Sequence, residues 1–236
     1  LLVTLGSRDL LELAIASIHT YAGPCALDLV NLDGYDLTEF VVASMSKFSH
    51  DESTVSTVEL PPETNDPRQH GRAIDFWRRR QKIGIADTDL VAIMDPDCAL
   101  LSEQWREEVD AAFNDPHVGI WGAGSIEDYG SRVHVSMMVI RGSVFNDYEY
   151  SFMPEDGDPR WQDTGGNYCR LVQGAGWALM PVERGPDWHG FSSWGTWTHL
   201  GGGSHSDVAR MTWTQRHLIP CHRRAMKERE QLKRLV

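Results

Sequence analysis

Long apolar runs are missing from this sequence, and no stretch approaches the roughly 18 consecutive apolar residues that a membrane-spanning helix needs. Cysteine is scarce and scattered. Cys25, Cys98, Cys169 and Cys221 form no CxxC pair, which argues against a disulfide-stapled scaffold or a thiolate zinc site and fits a reducing cytoplasm. Positive charge is short as well: 22 Lys and Arg stand against 34 Asp and Glu, a net charge of −12. Broad gripping of a phosphate backbone depends on Lys and Arg displacing counterions, so only a local basic groove stays open to nucleic acid. There is no internal repeat and no low-complexity linker. The opening LLVTLGSRDL has no methionine and no signal-like segment, and reads as an ordered part that starts within a strand.

What is present is an ordinary globular composition, 41% hydrophobic and 24% charged over 236 residues, enough to bury a full core. Leu10, Leu11, Ala14, Ile15 and Ile18 recur at helical spacing after a short apolar run, with Ser7 and Asp9 as candidate caps. CALDLVNLDGYD reads as a strand closing on the Asp33-Gly34 turn. DLTEFVVASMSKF reads as a second helix, and STVSTVELP, through Val55 and Val58, as another strand. The segment after it predicts a helix with Ala73, Ile74 and Trp77 inward and Arg78 to Arg80 outward, leading into the strand DLVAIMDPD. Strands alternating with helices in this way imply an α/β fold, a mostly parallel central sheet flanked by helices. Further along, SEQWREEVDAAFND predicts a helix, HVGIWGAG and RVHVSMMVIRG predict strands, and NYCRLVQG a helix. CHRRAMKEREQLKRLV predicts a basic amphipathic helix. The whole reads as one domain over 1–236, with a regular half to residue 105, a loop-rich half over 106–215 and the basic helix over 216–236.

Ligands of such sheets bind at the carboxyl ends of the strands, where Asp95 and Asp97 fall. Two carboxylates two residues apart at the end of a buried strand repel each other and lose solvation, so they persist where a cation or hydrogen-bond donors compensate them. A turn capped by Asp97 ahead of a helix explains the pair without a ligand. A magnesium or manganese ion shared between these carboxylates and a diphosphate explains it with one.

The segments LLVTLGSRDLLELAIASI, LVNLDGYD, NDPRQHGRAIDFWRRRQKIGIADTDLVAIMDPDCALLSEQW and WTHLGGGS resemble the GT-A fold glycosyltransferases of the family 2 type. The similarity is strong over residues 1–105, patchy to 206 and absent from the tail. In that family the first strand, loop and helix receive the nucleotide, an N/H-G-x-A-x segment precedes the DxD strand, and DxD holds a metal on the nucleotide-sugar diphosphate. The resemblance therefore implies that Asp97 binds Mn2+ or Mg2+ directly, while Asp95 holds the ribose or reaches the metal through water. It implies that Thr4, Gly6, Ser7 and Arg8 line base and ribose and that Asp33 contacts the base. The family usually carries Asp-Asp-Gly-Ser or Asp-Asn-Gly-Ser there; NLDGYD departs from it and leaves the base open. Arg72 either approaches the nucleotide or is a solvated helix residue.

The resemblance favours His199 as a further metal ligand, with His205 as an alternate and Gly201 to Gly203 as a loop able to close over the diphosphate. Asp163, ahead of a Gly pair, matches the place of an acceptor-side carboxylate, the general base that inverting transfer requires. A plain helix cap is its other reading, and Glu155, Asp156 and Asp158 compete for the role. Trp161, Trp194 and Trp197 either stack on a sugar or fill core. The implied activity is metal-dependent transfer of a sugar from a UDP- or GDP-sugar to an acceptor hydroxyl. Two rivals are a non-catalytic nucleotide-sugar-binding module and a haloacid-dehalogenase-type phosphatase, which the DPDCA string also resembles. Family acceptors include polysaccharides, lipids, proteins, small metabolites and modified phage DNA; the basic tail and Arg78 to Arg80 keep DNA among them.

Overall fold

The computed structural model describes residues 2–4, 8–23, 25–31, 54–57, 67–80, 84–124, 132–155, 164–185 and 192–199. The strands are β1 (Leu2–Thr4), β2 (Asp28–Asn31), β3 (Thr54–Thr57), β4 (Leu90–Met94), β5 (Cys98–Leu100), β6 (Val118–Gly124), β7 (Val133–Arg141), β8 (Ala178–Val182), β9 (Ser192–Ser193) and β10 (Trp197–His199). The helices are α1 (Arg8–Tyr21), α2 (Pro67–Arg80), α3 (Gln104–Phe113), α4 (Gly142–Phe145) and α5 (Gly166–Gly174). The helix expected over 36–48, the basic helix of the tail, Val58 and Cys221 lie outside the described residues.

Seven strands form the central sheet in the order β3-β2-β1-β4-β7-β6-β8. β1, β2, β3 and β4 run parallel, β8 runs parallel to β6, and β7 is antiparallel to both of its neighbours. The mixed α/β sheet is thus mostly parallel, as the alternating pattern implies, with β7 reversed between β4 and β6. A second, three-stranded antiparallel sheet, β5-β10-β9, stands beside it. Among the described residues no helix is long and apolar enough to cross a membrane.

Apolar side chains lie on both faces of the sheet, because successive strand residues point opposite ways. On one face Leu11, Ile15 and Ile18 of α1 and Trp105 and Val109 of α3 meet Leu29, Met94, Met137 and Val139. On the other, Ile74 and Trp77 of α2 meet Val30, Ile93, Met138, Ile140 and Tyr168. Trp194 and Trp197 belong to the first of these layers, 4% and 0% exposed, with their rings stacked at 5.9 Å. They fill core, which leaves neither free to stack on a ligand.

Two expectations change. Arg78 does not face outward: it is 3% exposed. It lies one turn beyond Ile74 and so shares the inward stripe of α2. Its guanidinium pairs with Asp75 at 3.4 Å, donates to the Tyr150 carbonyl, and sits 5.1 to 5.9 Å from the rings of Phe145, Tyr148, Phe152 and Tyr168. Asp75 in turn accepts from Ser151 Oγ at 2.6 Å and the Phe152 amide at 3.3 Å. Gly71 completes this contact, since a Cβ there would lie 2.6 Å from the Phe152 carbonyl oxygen. The stripe Gly71-Asp75-Arg78 thus clamps α2 onto residues 148–153.

The second change lies just beyond Asp97. The chain continues into the short strand β5, and α3 begins only at Gln104, whose amide meets Ser102 Oγ. Asp97 is therefore not the cap of a helix.

Candidate metal and nucleotide-sugar site

Because β1 to β4 are parallel, Thr4, Asn31, Thr57 and Met94 end on one edge of the sheet, and Asp95 leaves β4 there. In the ensuing turn the Cys98 amide donates to the Asp95 carbonyl at 3.0 Å, and Pro96 stiffens it. This turn is tied to β7 through one acceptor: the Ser136 carbonyl takes the Asp95 amide at 3.0 Å and the Cys98 thiol at 3.1 Å.

A β-bulge in β7 puts that carbonyl in place. Gly122 faces Met138 and Gly124 faces Val133, so two steps along β6 span five along β7. Met137 and Val139 pack on one layer, whereas Val133 and Val135, also odd-numbered, pack on the other. Such irregularities re-aim side chains and backbone groups. Gly122 has a φ of +151°, and a Cβ on it would fall 2.1 Å from the Met137 carbonyl oxygen, so this position of the bulge requires glycine.

The small sheet brings the remaining ligand. β10 pairs with β5 so that His199 lies opposite Cys98, Thr198 opposite Ala99 and Trp197 opposite Leu100. His199 Nε2 comes to 3.2 Å from Asp97 Oδ1, with the two side chains 19% and 8% exposed. One donor atom each from Asp97, Cys98 and His199 lie within 4.8 Å of one another. Burial, with Asp97 and Asp95 adding to it, pushes the Cys98 thiol well above its ordinary range. In the structure the thiol donates to the Ser136 carbonyl, while Asp97 brings oxygen and His199 nitrogen to the cluster. Those oxygen and nitrogen donors suit a divalent cation such as manganese or magnesium.

Two further histidines join the corner. His70, in the second turn of α2, places Nε2 3.6 Å from Asp95 Oδ1. His134 of β7 accepts the Ser136 amide on Nδ1 at 3.1 Å, and its ring centroid is 6.3 Å from that of His199. Asp95 feels all of these. Burial raises its carboxyl above the ordinary value; His70 opposes this most strongly, Asp97 adds to it, and His199 and His134 oppose it. A signal existed for both histidines: His70 stands in the same HGRAID string as Gly71, and His134 interrupts an otherwise apolar strand.

The structure brings Asp95, Asp97 and His199 together. Arg72 stands exposed on α2, two residues beyond His70. Glu155 is exposed and pairs with Arg170 at 2.9 Å. Gly6, Ser7, Asp33, Asp156, Asp158, Trp161, Asp163, Gly201 to Gly203 and His205 lie outside the described residues, as do the side chains of Thr4 and Arg8.

No family model matches the sequence, and no curated protein sequence is similar to it. Solved structures are similar in shape. The mannosyltransferase PcManGT from Pyrobaculum calidifontis, in complex with GDP-Man and Mn2+, aligns with a TM-score of 0.55 at 14% identity, over 79% of this chain and 53% of that one. The fold is GT-A-like. A TarS 1-349 structure from S. aureus aligns at 0.51 and 12% identity, over 71% of this chain and 53% of that one. A putative glucose-1-phosphate thymidylyltransferase from Bacillus anthracis, in complex with a sucrose, aligns at 0.51 and 11% identity, over 85% and 80%. This GT-A-like chain spans about half the length of the first two. At these identities the likeness is one of fold.

Proposed function

We infer that the protein is a metal-dependent glycosyltransferase that moves a sugar from a nucleotide-sugar donor, a UDP- or GDP-sugar, to an acceptor hydroxyl with inversion. The observation that carries this reading is the seating of His199 against Asp97 by the β5–β10 register, beside Asp95 at the carboxyl edge of the sheet. Asp97 and His199 are the residues that would hold Mn2+ or Mg2+, and the buried carboxylate of Asp95 next to them, which makes no hydrogen bond through Oδ1, is in keeping with a site built around positive charge. A bound divalent cation supplies charge that offsets a departing nucleoside diphosphate.

The chain's own residues would do the rest. Asp95 orients the ribose or a metal-bound water; Thr4, Gly6, Ser7, Arg8 and Asp33 receive base and ribose, and Arg72 approaches the nucleotide. Asp163 takes the proton of the acceptor hydroxyl. The acceptor is unassigned. Exposed Arg72, Arg79 and Arg80 on α2 keep nucleic acid among the candidate acceptors.

A thermal-shift panel of UDP-, GDP-, dTDP- and CMP-sugars, with and without Mn2+, tests the reading, because a ligand that binds only the folded state raises its stability. A donor that stabilises only with Mn2+ and is then turned over supports transfer. Manganese-dependent stabilisation without any hydrolysis or transfer supports a non-catalytic binding module, and a metal-independent response to every donor removes the metal assignment. A second reading, nucleotidyl transfer, is favoured by the extent of the match to the thymidylyltransferase, which covers 80% of that chain. Pyrophosphate release from a nucleoside triphosphate and a sugar 1-phosphate distinguishes it.

A further inference from the structure

His70 and Asp95 present two buried polar atoms left without a bond. His70 Nε2 and Asp95 Oδ1 are sealed from solvent, neither makes a hydrogen bond among the described residues, and they stand 3.6 Å apart, just beyond hydrogen-bond reach. Native interiors rarely leave such a pair open without a reason, since each group loses its water without gaining a hydrogen bond in return.

Both sides of the gap are held by backbone. Asp95 is fixed by its amide on the Ser136 carbonyl and by its own carbonyl on the Cys98 amide. On α2, the residue next to His70 is Gly71, packed so closely on Phe152 and Met153 that a Cβ would touch backbone. A movement of well under 1 Å in the side chains alone would close the gap to an ordinary N–H···O distance of about 2.9 Å.

Resting on the metal-dependent reading above, we propose that His70 is a positioning residue for the cation corner: its Nε2–H anchors Asp95 Oδ1, so that the other carboxylate oxygen faces the nucleotide sugar and the cation held by Asp97 and His199. The group that Nε2 faces is Asp95, 3.6 Å away, so His70 acts through that carboxylate. The arrangement obeys the general rule that residues hydrogen-bonded to carboxylates around a metal fix their orientation, and that removing one costs about 10–100-fold in metal affinity.

The test is a Mn2+ titration of the full chain, by calorimetry without donor and by thermal shift with UDP and GDP, on the wild type and three variants. His70→Ala and His70→Phe remove the donor, the second keeping a flat ring; His70→Gln keeps an N–H of similar reach. Expected is a rise of about 10–100-fold in the Mn2+ dissociation constant for Ala and Phe, with most of the affinity regained in Gln and the metal-free melting temperature of Phe and Gln alike. Equal Mn2+ affinity in all four proteins overturns the proposal, as does an equal loss in Phe and Gln that tracks a fall in metal-free stability. Should His70→Ala fail to fold, the Phe and Gln pair decides. A wild type that binds no Mn2+ removes the metal-dependent reading together with this one. A wild type that binds Mn2+ but turns over no donor removes the transferase reading, while the variant comparison still decides the role of His70.

Discussion

The turn from Asp95 to Cys98 and the histidines around it reach the same corner by different routes. The turn is largely local: a strand end, a proline and the Cys98–Asp95 backbone hydrogen bond shape it within four residues, and β7 adds the Ser136 carbonyl that takes the Asp95 amide and the Cys98 thiol. The histidines come from α2, β7 and β10, and each depends on a long-range contact: the packing of Gly71 on Phe152, the bulge opposite Gly122, the pairing of His199 with Cys98. A charged cluster therefore has its acidic part shaped mainly by sequence neighbours, with one anchor on β7, and its imidazoles placed by packing and strand pairing alone. The acidic part should be sensitive to its own side chains, and the imidazole part to changes that never touch a ligand.

The largest expected effect is within the turn. Asp97→Ala should abolish Mn2+-dependent thermal stabilisation by a nucleoside diphosphate, and unchanged stabilisation would move the metal elsewhere. Asp163→Asn should leave donor-linked stabilisation intact and cut transfer by about 10²–10⁴-fold, the usual span for a general base; near-normal turnover would assign the base to another carboxylate. Gly122→Ala probes the packed side of the comparison. Its Cβ meets the Met137 carbonyl in a backbone conformation that side chains rarely adopt, so a loss of about 1–3 kcal/mol in urea unfolding is expected, with weaker Mn2+ binding through the displaced Ser136 carbonyl. Wild-type Mn2+ affinity in a destabilised Gly122→Ala would show that the bulge supports the fold alone.

The smallest effect is electrostatic. Burial holds Asp95 above its ordinary value of 3.8 in the folded state, so its contribution to stability is present below that value and is lost as pH rises through the raised one. Asp95→Asn, which carries no charge to bury, should gain melting temperature over the metal-free wild type as pH climbs from about 4 towards about 7. A gap that does not widen with pH would mean that the neighbouring histidines fully compensate the charge.

Much of this is legible in the sequence. The periodicity of Leu11, Ile15 and Ile18 marks α1, and the apolar run into Asp95 and Asp97 marks the fourth strand of a parallel sheet. His199 is singled out by its resemblance and its glycine-rich neighbourhood. Arg78 is misplaced because a run of three arginines reads as solvated, and nothing local reveals that Phe145, Tyr148, Phe152 and Tyr168 surround the first of them. His70 lies in the HGRAID string and His134 interrupts an apolar strand, but neither position reveals its partner, because the role of each is set by what lies across from it.

Backbone periodicity and strand-end chemistry are properties of neighbouring residues, so the sequence alone determined the α/β layering and the position of the paired aspartates. Which imidazoles meet those aspartates depends on register between strands and on close helix packing, which pair residues far apart in the chain. Only the tertiary structure decided that His70, His134 and His199 share one corner with Asp95 and Asp97.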